Sequence, residues 1–124
     1  MVSHTILAQT PQFNKLYSTD TTRELNPCVL PTTDDSYIIA GISRGPNNHR
    51  AIYARKVDKI GDILWQTEID ATDTSDVETY SGQALIKTID NHYALISTRS
   101  NIEKTRYNIV LSKFTPNCVT TIIG

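Results

Sequence analysis

The chain is expected to be all-β, built as two tandem four-stranded antiparallel units. Three observations predict this. Apolar runs are short, rich in Ile, Val, Thr and Tyr, and bounded by Gly, Pro, Asn and Asp. No stretch of ten or more residues keeps apolar positions at helical spacing behind a capping residue. The chain also repeats itself. Thr32-Thr33-Asp34-Asp35-Ser36-Tyr37-Ile38-Ile39-Ala40-Gly41 is matched by Lys87-Thr88-Ile89-Asp90-Asn91-His92-Tyr93-Ala94-Leu95-Ile96-Ser97, with Tyr37 and Tyr93 56 residues apart.

The elements follow in order. Residues 1–12 form an N-terminal segment without the basic region and apolar core of a complete signal peptide. Ile6-Leu7-Ala8-Gln9 resembles the tail of one, which would start the mature chain near Gln9 or Thr10; the alternative is a terminus without such a role. Residues 13–27 read as the end of a preceding repeat and a linker. Phe13 to Ser18 has the pattern of a fourth strand, and Thr21 to Leu25 is a weak helical candidate that Pro27 ends. The first unit, residues 28–70, holds strands near Cys28–Thr33, Tyr37–Ser43, Ile52–Asp58 and Ile63–Asp70. Asp34-Asp35-Ser36 is a hairpin turn, because Asp and Ser bond their own backbone there. Gly61 supplies a positive φ in a later turn. An acidic connector follows at residues 71–82. The second unit, residues 83–124, holds strands near Gln83–Thr88, Tyr93–Arg99, Tyr107–Thr115 and Val119–Ile123.

Composition excludes several classes. Twelve Lys and Arg against 13 Asp and Glu give a net charge of −1, which argues against a nucleic-acid footprint. With 39% apolar and 20% charged residues the chain is ordinary for a folded protein. No apolar run nears the roughly 18 residues of a membrane span. Cys28 and Cys118 lack the clustering of a zinc site; unpaired thiols and a disulfide are both open.

Four-stranded units in tandem, with these residues in this order, resemble a β-propeller repeat of secreted bacterial proteins. The matching residues are Thr33, Asp34-Asp35-Ser36-Tyr37, Ile38-Ile39-Ala40-Gly41, Lys56-Val57-Asp58, Gly61 and Leu64-Trp65. The pattern is also similar to the tryptophan-docking repeats of quinoprotein propellers. Those carry one more residue between Asp58 and Gly61, so a quinone cofactor is not expected. The second repeat departs from the pattern at Ser97, Asn117 and Thr121, which stand for Gly41, Gly61 and Trp65. The resemblance implies about two blades plus one preceding strand of a partial propeller. A propeller closes with about four to eight blades, so further blades or self-assembly are needed to close one. A small sandwich of the two sheets is the third arrangement. Within a blade, central strands should be covered on both faces and read as apolar runs, as Ile38 to Ile42 and Ile109-Val110-Leu111 do. Trp65, the sole Trp, would cover a neighbouring blade from the outermost strand.

Chemistry is sparse in the pattern. His4, His49 and His92 do not pair at metal-ligand spacing, and Asp70 to Glu78 spaces carboxylates without the order of a calcium loop. No Gly-x-Ser-x-Gly or phosphate-cradling Gly loop occurs. No metal, no cofactor and no catalytic residue is expected. The candidate ligand-binding residues lie on two equivalent polar loops. One carries Arg44, Asn47, Asn48, His49 and Arg50; the other carries Arg99, Asn101, Lys104 and Arg106. Arg and Asn suit carboxylates, sugars and peptide backbone. Arg50 and Arg106 align between the loops, and Tyr53 and Tyr107 offer either an aromatic surface or core.

The expected function is a non-enzymatic scaffold or binding module of a secreted or cell-surface bacterial protein, with a protein or glycan as partner. The alternatives are a piece of a propeller-type hydrolase or lyase with its catalytic groups elsewhere, and a lectin-like sugar-binding module. The departures in the second repeat predict a looser unit there. Hydrogen exchange should protect Ile38–Ile42 more than Leu95–Thr98; equal protection refutes this.

Overall fold

The computed structural model describes residues 15–17, 23–47, 49–72, 75–79, 84–101, 103–117 and 120–122. Most of them lie in two antiparallel sheets. Sheet 1 contains β1 (Arg23–Pro31), β2 (Tyr37–Arg44), β3 (Arg50–Val57) and β4 (Ile63–Thr72) in sequential order. Sheet 2 contains β5 (Ser75–Thr79), β6 (Leu85–Lys87), β7 (Tyr93–Asn101), β8 (Tyr107–Phe114) and β9 (Thr120–Ile122). β5 and β6 share one edge of β7: β5 pairs with Ser97 to Asn101 and β6 with Tyr93 to Leu95. No helix occurs among the described residues, and so none long and apolar enough to cross a membrane.

Two segments differ from the sequence reading. Arg23 to Leu25 is strand, not helix, and pairs with Ile42 to Arg44. The ladder slips between Leu25 and Cys28, where Asn26 adopts a φ of 51°. Pro27 sits inside this bulge, the place in a sheet that tolerates a missing N–H. The acidic connector likewise contains a strand. Ser75 to Thr79 completes the ladder along the loop-end half of β7, whose backbone groups need partners that local acidic composition does not reveal. Both units thus open with an interrupted first strand. Of Phe13 to Ser18 only Lys15, Leu16 and Tyr17 are described, and they run as irregular chain.

Hairpin turns set the register identically in both sheets. Thr32 N–H donates to the Ser36 carbonyl at 2.8 Å, and Thr88 N–H to the His92 carbonyl at 2.9 Å. Each threonine hydroxyl binds the aspartate two residues on, Asp34 or Asp90. Lys56 and Lys113 reach those aspartates from the third strand of their sheets. Asp35 and Asn91 occupy the left-handed region, each with φ 61°. The threonine in this role is Thr32, not Thr33. Gly61 has φ 89°, as the turn before β4 requires.

The core lies between the sheets. Ile38, Ala40, Ile42, Ile52 and Ala54 of sheet 1 pack against Leu85, Tyr93, Leu95 and Phe114 of sheet 2. Trp65 reaches across from β4. Its ring stands edge-on to Phe114 at 6.2 Å, and its Nε1–H donates to the Pro116 carbonyl at 2.9 Å. Coverage on both faces does not extend to sheet 2. Ile109 and Leu111 lie exposed, since nothing among the described residues packs on that side.

Gly41 makes room for an aromatic on the other face of sheet 1. A Cβ there would lie 2.9 Å from the Leu25 carbonyl oxygen and 2.9 Å from the Tyr53 hydroxyl. In sheet 2 the register partners at this place are Ser97 and the smaller Val110. Gly41→Ser should therefore destabilise the chain by about 1–3 kcal/mol. In a Tyr53→Val background the penalty should shrink. A urea-denaturation double-mutant cycle measures the coupling, and additivity within error refutes it.

Candidate functional site

Both polar loops project from one end of the molecule. The hairpin turns, the turn before β4 and the β8–β9 turn gather at the opposite end, where Trp65 meets Pro116. A cleft there of about 300 Å³ is lined by Asp34, Lys56, Asn91 and Tyr93, so turns of both sheets share it. The β2–β3 and β7–β8 connections consequently lie together at the far end. Asn47 and Lys104 each adopt a left-handed φ of 57° in them, at different places of their turns. Arg50 and Arg106 are not in register. Arg50 pairs across from Arg44, whereas Ser100 pairs across from Tyr107, one residue after Arg106. The second loop is one residue longer, and side chains alternate between faces, so the two arginines are not equivalent.

Several of the expected binding residues hold the fold. Arg99 forms an ion pair with Asp70, tying β7 to β4 across the two sheets. The Asp70 side chain is nearly fully buried, and its Oδ2 has no hydrogen-bond partner. Asp70 opens the carboxylate-rich stretch 70–78, of which Asp73 and Thr74 lie outside the described residues. Asn101 closes its own loop. Its Oδ1 accepts from the N–H groups of Thr105 and Arg106 at 2.9 Å each, and its Nδ2 donates to Thr105 Oγ1 at 2.8 Å. His49 Nε2 lies 2.9 Å from Glu68 Oε1, and Arg50 donates to the His49 carbonyl at 3.5 Å. Arg44 is half-buried at the end of β2, while Asn47, Lys104 and Arg106 are exposed. Asn48 lies outside the described residues. Tyr107 is exposed and Tyr53 is buried.

The sequence reading missed a buried charged cluster on the outer face of sheet 1. Arg55 is almost fully buried on β3 and binds both Glu24 carboxylate oxygens, at 2.6 and 3.2 Å. Its guanidinium carbon lies 4.6 Å from the Tyr53 ring centroid and 5.2 Å from that of Tyr17. Burial, and then the Glu24 charge, pushes the Tyr53 hydroxyl up to about 12. The Tyr17 hydroxyl donates to the Gly61 carbonyl at 2.6 Å. Glu24, Ser43, Tyr53, Arg55, Gln66 and Glu68 border a cleft of about 370 Å³. Because His49 binds Glu68, this cleft opens beside the first polar loop. One signal was available. A charged residue inside the otherwise apolar run of β3 requires a partner, and Tyr53 shares its face at two-residue spacing.

Among the described residues no group of three or more His, Cys, Asp or Glu comes together. His92 Nδ1 approaches Asp90 at 3.6 Å. Cys28 is a buried free thiol, pushed up by burial, whose Sγ lies 3.5 Å from the Ala40 carbonyl oxygen. His4 and Cys118 lie outside the described residues.

These features define a class: an all-β chain of two similar antiparallel sheets, with polar loops gathered at one end. Comparison with protein-family models, with curated proteins and with solved structures returned no match.

The paired turns have a pH consequence. Lys56 first, then Thr32, holds the Asp34 carboxyl well below its ordinary range; Lys113 and Thr88 do the same for Asp90. A depressed folded value adds stability that is complete above the unfolded value of about 3.9 and fades as pH falls below it. Urea midpoints should therefore drop as pH falls from about 5 to about 2. In the Asp34→Asn/Asp90→Asn double variant the drop should be smaller, and an unchanged drop refutes the assignment.

Proposed function

We propose that this chain is a β-propeller-type segment that serves as a non-enzymatic scaffold and binding module of a secreted or cell-surface bacterial protein. One observation carries the reading. Two sheets with the same strand order and the same Thr–Asp–Lys turn present both polar loops at one end. A surface assembled from equivalent loops on a rigid frame is a common form of binding site.

The groups at that end suggest the ligand class. Asn47, Lys104 and Arg106 are exposed in these loops, and Arg99 and Asn101 make bonds within the fold. A carboxylate-bearing glycan or peptide matches such donors. The lectin-like reading becomes a case of this one, with acidic sugars favoured over neutral ones.

The test is an NMR titration with oligogalacturonate and oligoglutamate, using cello-oligosaccharide as the neutral control. Amide shifts should cluster at residues 44–50 and 99–106. A Lys104→Ala/Arg106→Ala double variant should bind about tenfold more weakly or worse, with its fold unchanged. Binding that maps elsewhere, or that is equal for the neutral sugar, refutes the site. Cleavage of a probe would replace this reading with the enzymatic one.

A further inference from the structure

The cleft at the turn end lies on the seam between the sheets, and its side chains come from both. Lys56 pairs with Ile38 and with Trp65, so it stands on the face of sheet 1 that meets sheet 2. Lys87 pairs with Tyr93 and stands on the facing side of sheet 2. Asp34 adds a turn of sheet 1, and Asn91 and Pro116 add turns of sheet 2. At about 300 Å³ the cleft is at the small end of the range for small-molecule sites.

Two polar groups in the cleft are not used by the fold. The first is Lys87. The Thr–Asp–Lys turn recurs in both sheets, and in it Asp34 is engaged on both oxygens, by Thr32 and by Lys56. Lys87 is no part of that turn. Pro31 pairs with Tyr37 where Lys87 pairs with Tyr93, so sheet 1 has no cation at this position. Lys87 is exposed and forms no ion pair among the described residues. Because Lys56 and Asp34 cancel, Lys87 leaves the cleft with one net positive charge. The second group is the Tyr93 hydroxyl. Tyr93 is 3% exposed, with its ring 5.5 Å from that of Phe114, yet its hydroxyl has no hydrogen-bond partner among the described residues. A hydroxyl on so covered a residue is normally bonded. The charges that act on it are Lys56 and Asp34, so it opens toward the cleft they line. Burial keeps it protonated and hence a donor. The Asn91 amide, likewise without a partner among the described residues, lies at the rim.

We propose that this seam binds a small carboxylate, a ligand with one carboxyl group on a short polar body. The Lys87 ammonium and the Tyr93 hydroxyl donate to the carboxylate oxygens, and the Asn91 amide bonds the body. One negative charge matches the one uncompensated cation. A dianion such as phosphate carries a second charge that nothing there balances beside Asp34, and is disfavoured. Since the cleft is shared by both sheets, an occupant fastens one to the other and raises stability. The site lies at the opposite end from the polar loops and does not rest on the reading given for them.

An NMR titration with N-acetylglycine tests this, with uncharged N-acetylglycinamide and sodium chloride at equal ionic strength as controls. Pro116 lines the cleft and its carbonyl accepts the Trp65 Nε1–H at 2.9 Å, so the resonance of the sole indole N–H reports occupancy. That resonance and the amides of residues 87–93 should shift saturably, with a Kd of about 1–10 mM. Lys87→Gln should weaken binding about tenfold or more, and Tyr93→Phe, which keeps the ring on Phe114, about threefold or more. Lys87→Arg should restore most of the affinity. Lys87 is exposed, so its variants keep the fold whatever Tyr93→Phe does. Equal shifts from the amide or the salt overturn the proposal, and so does wild-type affinity in Lys87→Gln. Shifts confined to residues 44–50 and 99–106 also overturn it, and assign the acid to the polar loops.

Discussion

The apolar contact between the two sheets is the constraint from which the rest of the structure follows. Short strands cannot hold a dry face alone; each sheet needs another to cover it. Sheet 1 supplies a low floor, with Ala40 and Ala54 fully buried between isoleucines. Sheet 2 supplies the tall side chains Tyr93, Leu95 and Phe114 that fill it. Each fully buried large side chain contributes about 1.5–3 kcal/mol, so a handful of such contacts outweighs any single polar interaction. A one-residue slip in any strand would turn its apolar set outward. The paired Thr–Asp–Lys turns prevent that slip by fixing where β2 and β7 begin.

Two polar attachments then orient the sheets. Trp65 binds the Pro116 carbonyl at the turn end, and Arg99 binds Asp70 at the loop end. Contacts at both ends restrain rotation of one sheet over the other, which keeps the polar loops together. The ion pair at the loop end is buried on the Asp70 side. Losing one partner would leave an uncompensated charge in a dry place, a larger effect than the net contribution of the pair. Arg55 follows the same logic on the far face, where Glu24 satisfies its charge and two tyrosine rings cover it.

The loop chemistry shows why exposed-looking polar residues mislead. Arg99 and Asn101 fall in a polar stretch after an apolar run, the pattern expected of a binding loop. Their side chains instead complete the fold, one by reaching Asp70 on the other sheet and one by closing its own turn. Strand spacing sets which face a residue takes, but partners supplied from distant segments decide whether it remains available. Arg55 is the converse case. It sits in a run that reads as core, and its partner Glu24 lies 31 residues earlier in a segment that reads as linker.

The local pattern by itself determined the all-β class, the tandem repeat, the hairpin at Asp34 to Ser36 and the role of Gly61. These depend on side-chain alternation and on backbone preferences of single residues, which act over a few positions. Only the tertiary structure decided that Arg23 to Leu25 and Ser75 to Thr79 are strands. Their own composition favours other states, and they become strands because β2 and β7 present backbone donors and acceptors that must be paired. It also decided which apolar positions are covered. Ile52 and Ile109 are the same residue at equivalent positions, yet one is buried and the other exposed. The difference is the presence of a neighbouring sheet, and no local pattern encodes that.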